Sequence, residues 1–189
     1  MISVCMATYN GEKYIRQQIC SIISQIGEGD EVIISDDGST DSTLDTIRSM
    51  ADSRIRIVKG PCRRSPTLNF ENALSHAKGD YIFLADQDDV WLPGKVSACM
   101  KWLNRYDCVV SDAEMADENL RVIEKSYYSV HRTKPERWYN LLVKNGYMGC
   151  CMAFTRRVLD TALPFPKGIA MHDLWIGNVA AFRFSVKFI

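Results

Sequence analysis

The first half of the chain alternates short apolar runs with segments of helical periodicity. The runs at residues 2–7, 31–35, 55–59 and 81–85 are short, carry mainly large apolar side chains and predict buried strands. The segments between them, over residues 12–25, over residues 43–50 and from Pro66 to Gly79, carry apolar positions three and four residues apart and predict helices. This alternation, with short connections, predicts an α/β fold: a mostly parallel sheet covered by helices on both faces.

The second half of the chain is less regular and predicts a smaller antiparallel portion. Helices are predicted over 93–104, 138–142, 156–163 and from His172 to residue 181; strands are predicted over 108–111, 149–154 and 184–189. The turn residues Asp117-Glu118-Asn119 predict a hairpin, and residues 126–134 are polar and predict an exposed loop. Because the chain stops in an apolar segment, we expect a longer natural protein that is truncated at its C-terminus.

Composition and charge exclude several classes of protein. The 189 residues suffice for one domain, and 23 basic residues balance 23 acidic ones, so the chain has no basic field for nucleic acid. The seven cysteines lack paired CxxC spacing, which indicates free thiols in a reducing compartment. No signal peptide precedes the first strand, and no apolar run approaches the ~20 residues of a membrane span. We therefore expect a cytoplasmic protein.

Polar clusters follow three of the four predicted strands of the first half. They are Thr8-Tyr9-Asn10-Gly11, Asp36-Asp37-Gly38-Ser39-Thr40-Asp41 and Asp86-Gln87-Asp88-Asp89. The carboxyl ends of parallel strands lie along one edge of a sheet, where α/β proteins bind their ligands. Crowded carboxylates repel one another unless a cation joins them, and a divalent cation that also binds substrate phosphates meets this need. On these residues alone, acidic turns that cap the following helices remain an alternative.

Taken in order, these clusters resemble the family-2 glycosyltransferases, which are inverting enzymes of the GT-A fold. The three motifs stand about 25 and 50 residues apart, and the third continues as Val90-Trp91-Leu92-Pro93. Gly149-Cys150 and the pair His172-Asp173, with Trp175, are similar to the branch that builds bacterial surface polysaccharide, including its rhamnosyltransferase-like members. The resemblance implies one GT-A (Rossmann-like) domain, with a nucleotide-binding half over 1–112 and an acceptor-side half over 113–189.

The resemblance implies a nucleotide-diphosphate sugar as donor. Its nucleotide would contact Thr8, Tyr9, Asp36, Asp37, Asn69 and Asp86. The diphosphate leaving group would be neutralised by Mg²⁺ or Mn²⁺ held by Asp88. Structural alternatives to these roles remain open. Asp36 and Asp37 could form an Asx turn and cap the next helix, Tyr9 could pack as an ordinary apolar side chain, and Asp89 could cap the helix that follows it.

Asp173 stands where the family places the base that deprotonates the acceptor hydroxyl. It also fits as the cap of its helix, and one residue can fill both roles. Most members carry glutamate before this aspartate, whereas this chain has His172, a candidate for orienting a substrate group. Asp112, Gly149 and Cys150 are candidates for sugar or acceptor contacts, with a hairpin turn as the alternative for Asp112 and simple packing of strand residues for Cys150 and Cys151.

The acceptor implied by the resemblance is a saccharide or a lipid-linked saccharide, which allows peripheral contact with the inner face of the cell membrane. Two other functions stay open. A nucleotidyltransferase would also use this type of sheet and Mg²⁺, but it would carry a glycine-rich phosphate loop where Thr8-Tyr9-Asn10-Gly11 stands. An inactive fragment that only binds nucleotide sugars is the second alternative, because the chain ends before a C-terminal element that helps to hold the diphosphate in this family.

Overall fold

The computed structural model describes residues 1–135, 139–140 and 145–189. Its strands are β1 (Ile2–Thr8), β2 (Glu31–Asp36), β3 (Ile55–Lys59), β4 (Tyr81–Asp86), β5 (Cys108–Val110), β6 (Met115–Ala116), β7 (Val122–Glu124), β8 (Met152–Thr155) and β9 (Val186–Phe188). Its helices are α1 (Ile15–Ile23), α2 (Thr43–Ser49), α3 (Pro66–Ser75), α4 (Lys95–Leu103), α5 (Tyr127–His131), α6 (Arg156–Ala162) and α7 (His172–Arg183).

The main sheet is mostly parallel, as predicted. Its seven strands run in the order β3-β2-β1-β4-β8-β5-β9, and β8 is antiparallel to its neighbours β4 and β5. The register pairs Thr8 with Asp36 and Ala7 with Asp86, so β1, β2 and β4 end at the same edge. The predicted hairpin is also present, with β6 and β7 paired antiparallel in a separate small sheet.

Helices cover both faces of the sheet, which confirms the predicted layers. Alternate residues of β1 point to opposite sides: Val4 and Met6 belong to the cluster under α1, α2 and α4, whereas Cys5 belongs to the cluster under α3, α6 and α7. Phe83 and Phe154 are fully buried, one in each cluster. Full burial of a side chain of this size contributes about 1.5–3 kcal/mol.

Three helices of the first half begin differently from one another. Helix α3 has the expected start, with Ser65 accepting a hydrogen bond from the Leu68 amide and Pro66 in the first turn. Helix α1 begins later than predicted because the amides of Tyr14 and Ile15 both donate to the Gly11 carbonyl in a preceding turn. Helix α4 begins at Lys95, after Gly94 with φ of 85°. The alternative that Asp89 caps this helix is therefore wrong.

The structure corrects two predictions in the second half. The strand expected over 149–154 begins only at Met152, because Gly149–Cys151 form a 3₁₀ turn. Cys150 and Cys151 therefore do not alternate across a strand. The loop expected over 126–134 contains the short helix α5, whose cap Ser126 accepts a hydrogen bond from the Ser129 amide. The helix predicted over 138–142 falls largely outside the described residues.

The helices of the described ranges are too short, and not apolar enough, to cross a membrane.

Candidate functional site

A cleft of about 220 Å³ opens at the edge where β1, β2 and β4 end. Six residues singled out in the sequence line it: Thr8, Tyr9, Asp37, Asn69, Asp86 and Asp88. They come from three strand ends and from α3, so the parallel register brings together side chains that lie far apart in the sequence. This convergence is the geometry expected of a ligand site in an α/β sheet.

Internal hydrogen bonds hold the floor of the cleft. The amide nitrogen of Asn69 donates to the Thr8 carbonyl at 3.2 Å, and its oxygen accepts from the Ser35 hydroxyl. The Thr8 hydroxyl donates to the Asp36 carboxylate at 3.1 Å. Because all of these residues are buried, the bonds fix the ends of β1 and β2 against α3.

Asp36 and Asp37 are both buried, but they accept hydrogen bonds from different segments, and of the two only Asp37 lines the cleft. Asp36 accepts hydrogen bonds from the amides of Gly38 and Ser39 and from the Ser39 hydroxyl, as in an Asx turn, and it does not line the cleft. The Asp37 carboxylate accepts from the amides of Arg63 and Ser65 at 3.1 and 3.2 Å and does line the cleft. Of the two neighbouring aspartates, Asp37 is therefore the one that a ligand in the cleft can reach.

Arg64 forms a wall of the cleft. It has φ of 51°, a left-handed conformation, and its guanidinium carbon lies 5.5 Å from the centre of the Tyr9 ring. From the sequence, the pair Arg63-Arg64 leaves two alternatives open, a contact with phosphate or a solvated basic turn, and neither predicts the contact with Tyr9. In the structure, the two anchored amides beside Arg64 hold the turn over β1, and a planar cation faces an aromatic ring at the cleft.

Gln87 clamps the end of β1 to the end of β4. Its side-chain oxygen accepts from the Tyr9 amide at 3.0 Å, and its side-chain nitrogen donates to the Tyr9 carbonyl at 3.1 Å. On the other side of the strand, the amide of the buried Gln18 donates to the Asp86 carbonyl at 2.8 Å. These bonds fix the backbone from which the carboxylates of Asp86, Asp88 and Asp89 project.

The carboxylates at the end of β4 form an electrostatically unfavourable group. Burial, and then the charges of Asp89, Asp88 and Asp173, raise the pKa of Asp86 to about 7. Burial also raises the pKa of Asp89, although Lys95 opposes this effect. Ligand atoms of Asp86, Asp89 and Cys150 all lie within 4.8 Å of one another, whereas Asp88 is exposed at the cleft. Hard oxygen donors with unrelieved negative charge fit Mg²⁺ or Mn²⁺.

The 3₁₀ turn at Gly149–Cys151 contacts Asp173 at the start of α7. The Gly149 amide donates to Asp173 Oδ2 at 3.2 Å, and the Leu174 amide donates to Oδ1 at 2.6 Å. Asp173 lies in the first turn of α7, where the helix dipole favours a negative charge. A Cβ at Gly149 would lie 2.9 Å from His172 Nε2, so the close approach of the turn to α7 requires glycine.

His172 is buried without a polar partner among the described residues. Its ring stacks on Phe70 with centroids 3.9 Å apart, and neither ring nitrogen has a hydrogen-bond partner. Burial lowers its pKa to about 4, and the charge of Asp173 opposes this shift. His172 is therefore neutral at pH 7, and its two nitrogens are shielded from solvent beside the candidate base.

This burial predicts a pH-dependent stability. Because the folded-state pKa of about 4 lies below the usual value of 6.5, the unfolded chain binds the extra proton first, and stability falls as pH drops from about 6.5 to 4. His172→Phe keeps the stacked ring and should remove this loss, measured as melting temperature against pH. His76→Gln, at an exposed imidazole, should retain the wild-type profile.

Only the difference between wild type and variant is diagnostic in this experiment. Asp86 acts in the opposite sense, because its pKa of about 7 lies above the usual 3.8 and the folded state gains stability as pH falls through that value. Parallel profiles of wild type and His172→Phe would contradict a buried neutral His172.

Asp112 is not among the residues that line the cleft. Its carboxylate accepts hydrogen bonds from the amides of Ala113 and Tyr128 and from the Ser126 hydroxyl, so it anchors the start of α5. A sugar or acceptor contact of Asp112 stays a prediction, and its place between β5 and β6 is not a hairpin turn. The β6–β7 hairpin turns further along, where the Asp117 carboxylate accepts from the amides of Asn119 and Arg121.

Comparison with known proteins agrees with this architecture. Residues 3–163 match the sequence model of the family described as glycosyl transferase family 2. Two Escherichia coli relatives, UDP-Glc:alpha-D-GlcNAc-diphosphoundecaprenol beta-1,3-glucosyltransferases WfgD and WfaP, are 27% and 30% identical over 168 residues. Each alignment covers 88% of this chain and 64% of the relative, so the chain spans less than two thirds of their length.

Solved structures share the fold. The mannosyltransferase PcManGT from Pyrobaculum calidifontis, in complex with GDP-Man and Mn²⁺, superposes with a TM-score of 0.77 at 22% identity, covering 100% of this chain and 54% of that one. TarS from S. aureus, in complex with UDP-GlcNAc, gives 0.76 at 19% identity, covering 100% and 55%. The predicted GT-A fold is thus confirmed, and the match over residues 3–163 shows that the chain belongs to glycosyl transferase family 2.

Proposed function

We propose that this chain is the donor-binding and catalytic part of a metal-dependent, inverting glycosyltransferase. It would move a sugar from a nucleotide-diphosphate sugar to a saccharide or lipid-linked saccharide acceptor in cell-surface polysaccharide synthesis. The observation that carries the proposal is the convergence of Thr8, Asp37, Asn69 and Asp88 on one cleft. The carboxylate of Asp173 is close enough to this cleft to raise the pKa of Asp86.

The nucleotide would occupy the cleft between Tyr9 and Asp37. Tyr9 offers an aromatic face under Arg64, and the anchored Asp37 carboxylate keeps lone pairs free to accept a hydrogen bond from a base. Asn69 and Thr8 support this floor through bonds that are already made within the protein. Asp36 would act through the turn that positions Asp37. Residues 1–112 would form the nucleotide-binding half.

Asp88, exposed at the cleft, would hold Mg²⁺ or Mn²⁺ together with the donor diphosphate, and Asp86 would support it from the buried side. The cation supplies Lewis-acid stabilisation of the charge that develops on the leaving diphosphate. Support comes from the hard oxygen donor set and from similar structures solved with Mn²⁺, among them PcManGT and the glucosyl-3-phosphoglycerate synthase of Mycobacterium tuberculosis.

Asp173 would accept the proton of the acceptor hydroxyl as that oxygen attacks the anomeric carbon in line with the leaving diphosphate. Two backbone amides hold its carboxylate, and the start of α7 favours its ionised form. Gly149, Cys150 and His172 surround it on the acceptor side, in the half formed by residues 113–189. The relatives named for a diphosphoundecaprenol-linked acceptor support a lipid-linked substrate and contact with the inner face of the membrane.

A thermal-shift titration tests the proposal. UDP-, dTDP- and GDP-sugars are added with Mn²⁺ to the wild-type chain and to Asp37→Ala, with the free sugars as ligand controls. A donor at 100 times its Kd should raise the wild-type melting temperature by roughly 5–10 °C, with little effect on Asp37→Ala. No shift with any nucleotide sugar would contradict donor binding, and a shift without transfer to any acceptor would favour the inactive fragment.

A further inference from the structure

The 3₁₀ turn at Gly149–Cys151 touches the two chemically distinct ends of the site. Its first residue donates a backbone hydrogen bond to Asp173 at 3.2 Å. The sulfur of its second residue, Cys150, faces the carboxylates of Asp86 and Asp89, and the ligand atoms of these three residues lie within 4.8 Å of one another. One short turn therefore contacts both the candidate base and the buried acids behind the candidate metal ligand.

The sheet explains why Cys150 meets Asp86. Strands β4 and β8 are antiparallel, with Tyr81 paired to Thr155 and Phe83 paired to Ala153. The 3₁₀ turn directly precedes β8, so this pairing brings the turn beside the end of β4. The single antiparallel strand in the middle of the sheet thus brings the start of β8 to the edge where the parallel strand β4 ends.

Other contacts hold the Cys150 backbone in place. Lys95 Nζ donates to the Cys150 carbonyl at 2.6 Å and lies 5.0 Å from the centre of the buried Trp91 ring. The Cys151 amide closes the turn on the Met148 carbonyl at 3.0 Å. A fixed backbone therefore holds the thiol close to the two carboxylates, and a thiol is able to donate a hydrogen bond.

We propose that Cys150 is a positioning residue: its thiol, beside both carboxylates, would donate its single proton to Asp86 or Asp89, orient that carboxylate and thereby set the affinity of the site for its divalent cation. This inference rests on the proposed metal-dependent function and replaces the simple acceptor contact considered for Cys150. Carboxylates at metal sites are themselves held by hydrogen bonds, and loss of such a partner costs about 10–100-fold in metal affinity. Because a hydroxyl also donates, serine should substitute for the thiol.

Mn²⁺ binding in the presence of UDP or GDP, followed by the electron paramagnetic resonance signal of free Mn²⁺, tests this role without an acceptor. Cys150→Ala and the similarly sized Cys150→Val should bind Mn²⁺ at least about tenfold more weakly, and Cys150→Ser should lie close to wild type. Cys20→Ala removes an exposed thiol on α1 and should change nothing. Melting temperatures identify any variant that fails to fold, so that alanine and valine serve as independent tests.

The outcomes separate this inference from the function on which it rests. If wild type binds no Mn²⁺ with either nucleotide, the proposed function fails first. If wild type binds Mn²⁺ and the alanine and valine variants bind it equally well, only the role of Cys150 is overturned. If serine is as weak as alanine, and both also lose binding of the thiophilic ion Cd²⁺, the thiol is a ligand and its role as a hydrogen-bond donor is overturned.

Discussion

Replacing Asp173 with asparagine is expected to lower the rate of sugar transfer by about 10²–10⁴-fold while donor binding is retained, because general base catalysis contributes an effect of this size. Asparagine keeps the size of the side chain but cannot accept the proton of the acceptor hydroxyl. Its NH₂ group would also face one of the two backbone amides, from Gly149 or Leu174, that now donate to the carboxylate. Steady-state transfer rates and Mn²⁺-dependent donor affinity of the protein are the two measurements.

Asp45→Asn is the matched control for this variant. Asp45 also lies in the first turn of a helix, α2, but on the surface, where it pairs with Arg48 at 3.3 Å. An exposed pair of this kind contributes little stability, so this variant should transfer sugar at the wild-type rate. Wild-type transfer by Asp173→Asn would remove Asp173 as the base. Loss of donor binding together with transfer would show that the change disturbs the cleft instead.

The first half of the fold was predictable because its signals are local. Short runs of mainly large apolar residues mark strands that are buried on both faces, and Ser65 with Pro66 marks the start of α3. Because β1, β2 and β4 are parallel, their C-terminal ends lie at the same edge of the sheet. The convergence of Thr8, Asp37 and Asp88 therefore follows from the sequence pattern alone.

The parts that the sequence did not indicate depend on contacts between distant segments. Nothing near residue 150 in the sequence shows that β8 inserts antiparallel between β4 and β5, so the approach of Cys150 to Asp86 could not be foreseen. Arg64 reaches Tyr9 because Asp37 anchors the amides on both sides of it. A left-handed arginine has no clear sequence signal, since such a conformation is unusual for a residue with a Cβ.

Neighbouring acids also proved distinguishable only in three dimensions. Asp36 and Asp37 are adjacent in sequence, yet one serves the turn and the other faces the cleft. Similarly, Asp88 is exposed at the cleft while Asp89 is half-buried against Cys150. Successive residues at a strand end point in different directions, so a motif identifies the group of acids without assigning their individual partners.

The difference between the exposed Asp88 and the half-buried Asp89 leads to the second large expected effect. Asp88→Ala should abolish the Mn²⁺-dependent part of donor binding and reduce transfer by at least about 100-fold, matching wild type treated with EDTA. The reason is that Asp88 is the exposed carboxylate of the group and lies where a bound diphosphate can reach the same cation. Donor affinity with and without Mn²⁺, measured by calorimetry for wild type and variant, gives the comparison.

Asp80→Ala is the control at the opposite end of the same strand. Asp80 precedes β4, is exposed, and pairs with the amino terminus at 3.0 Å, so its loss should leave Mn²⁺-dependent binding unchanged. If wild type keeps its full transfer activity in EDTA, the proposed metal dependence is contradicted. If Asp88→Ala retains Mn²⁺-dependent binding while Asp89→Ala loses it, the cation instead lies between Asp86 and Asp89, on the Cys150 side of the site, because those carboxylates are the remaining close pair that could hold it.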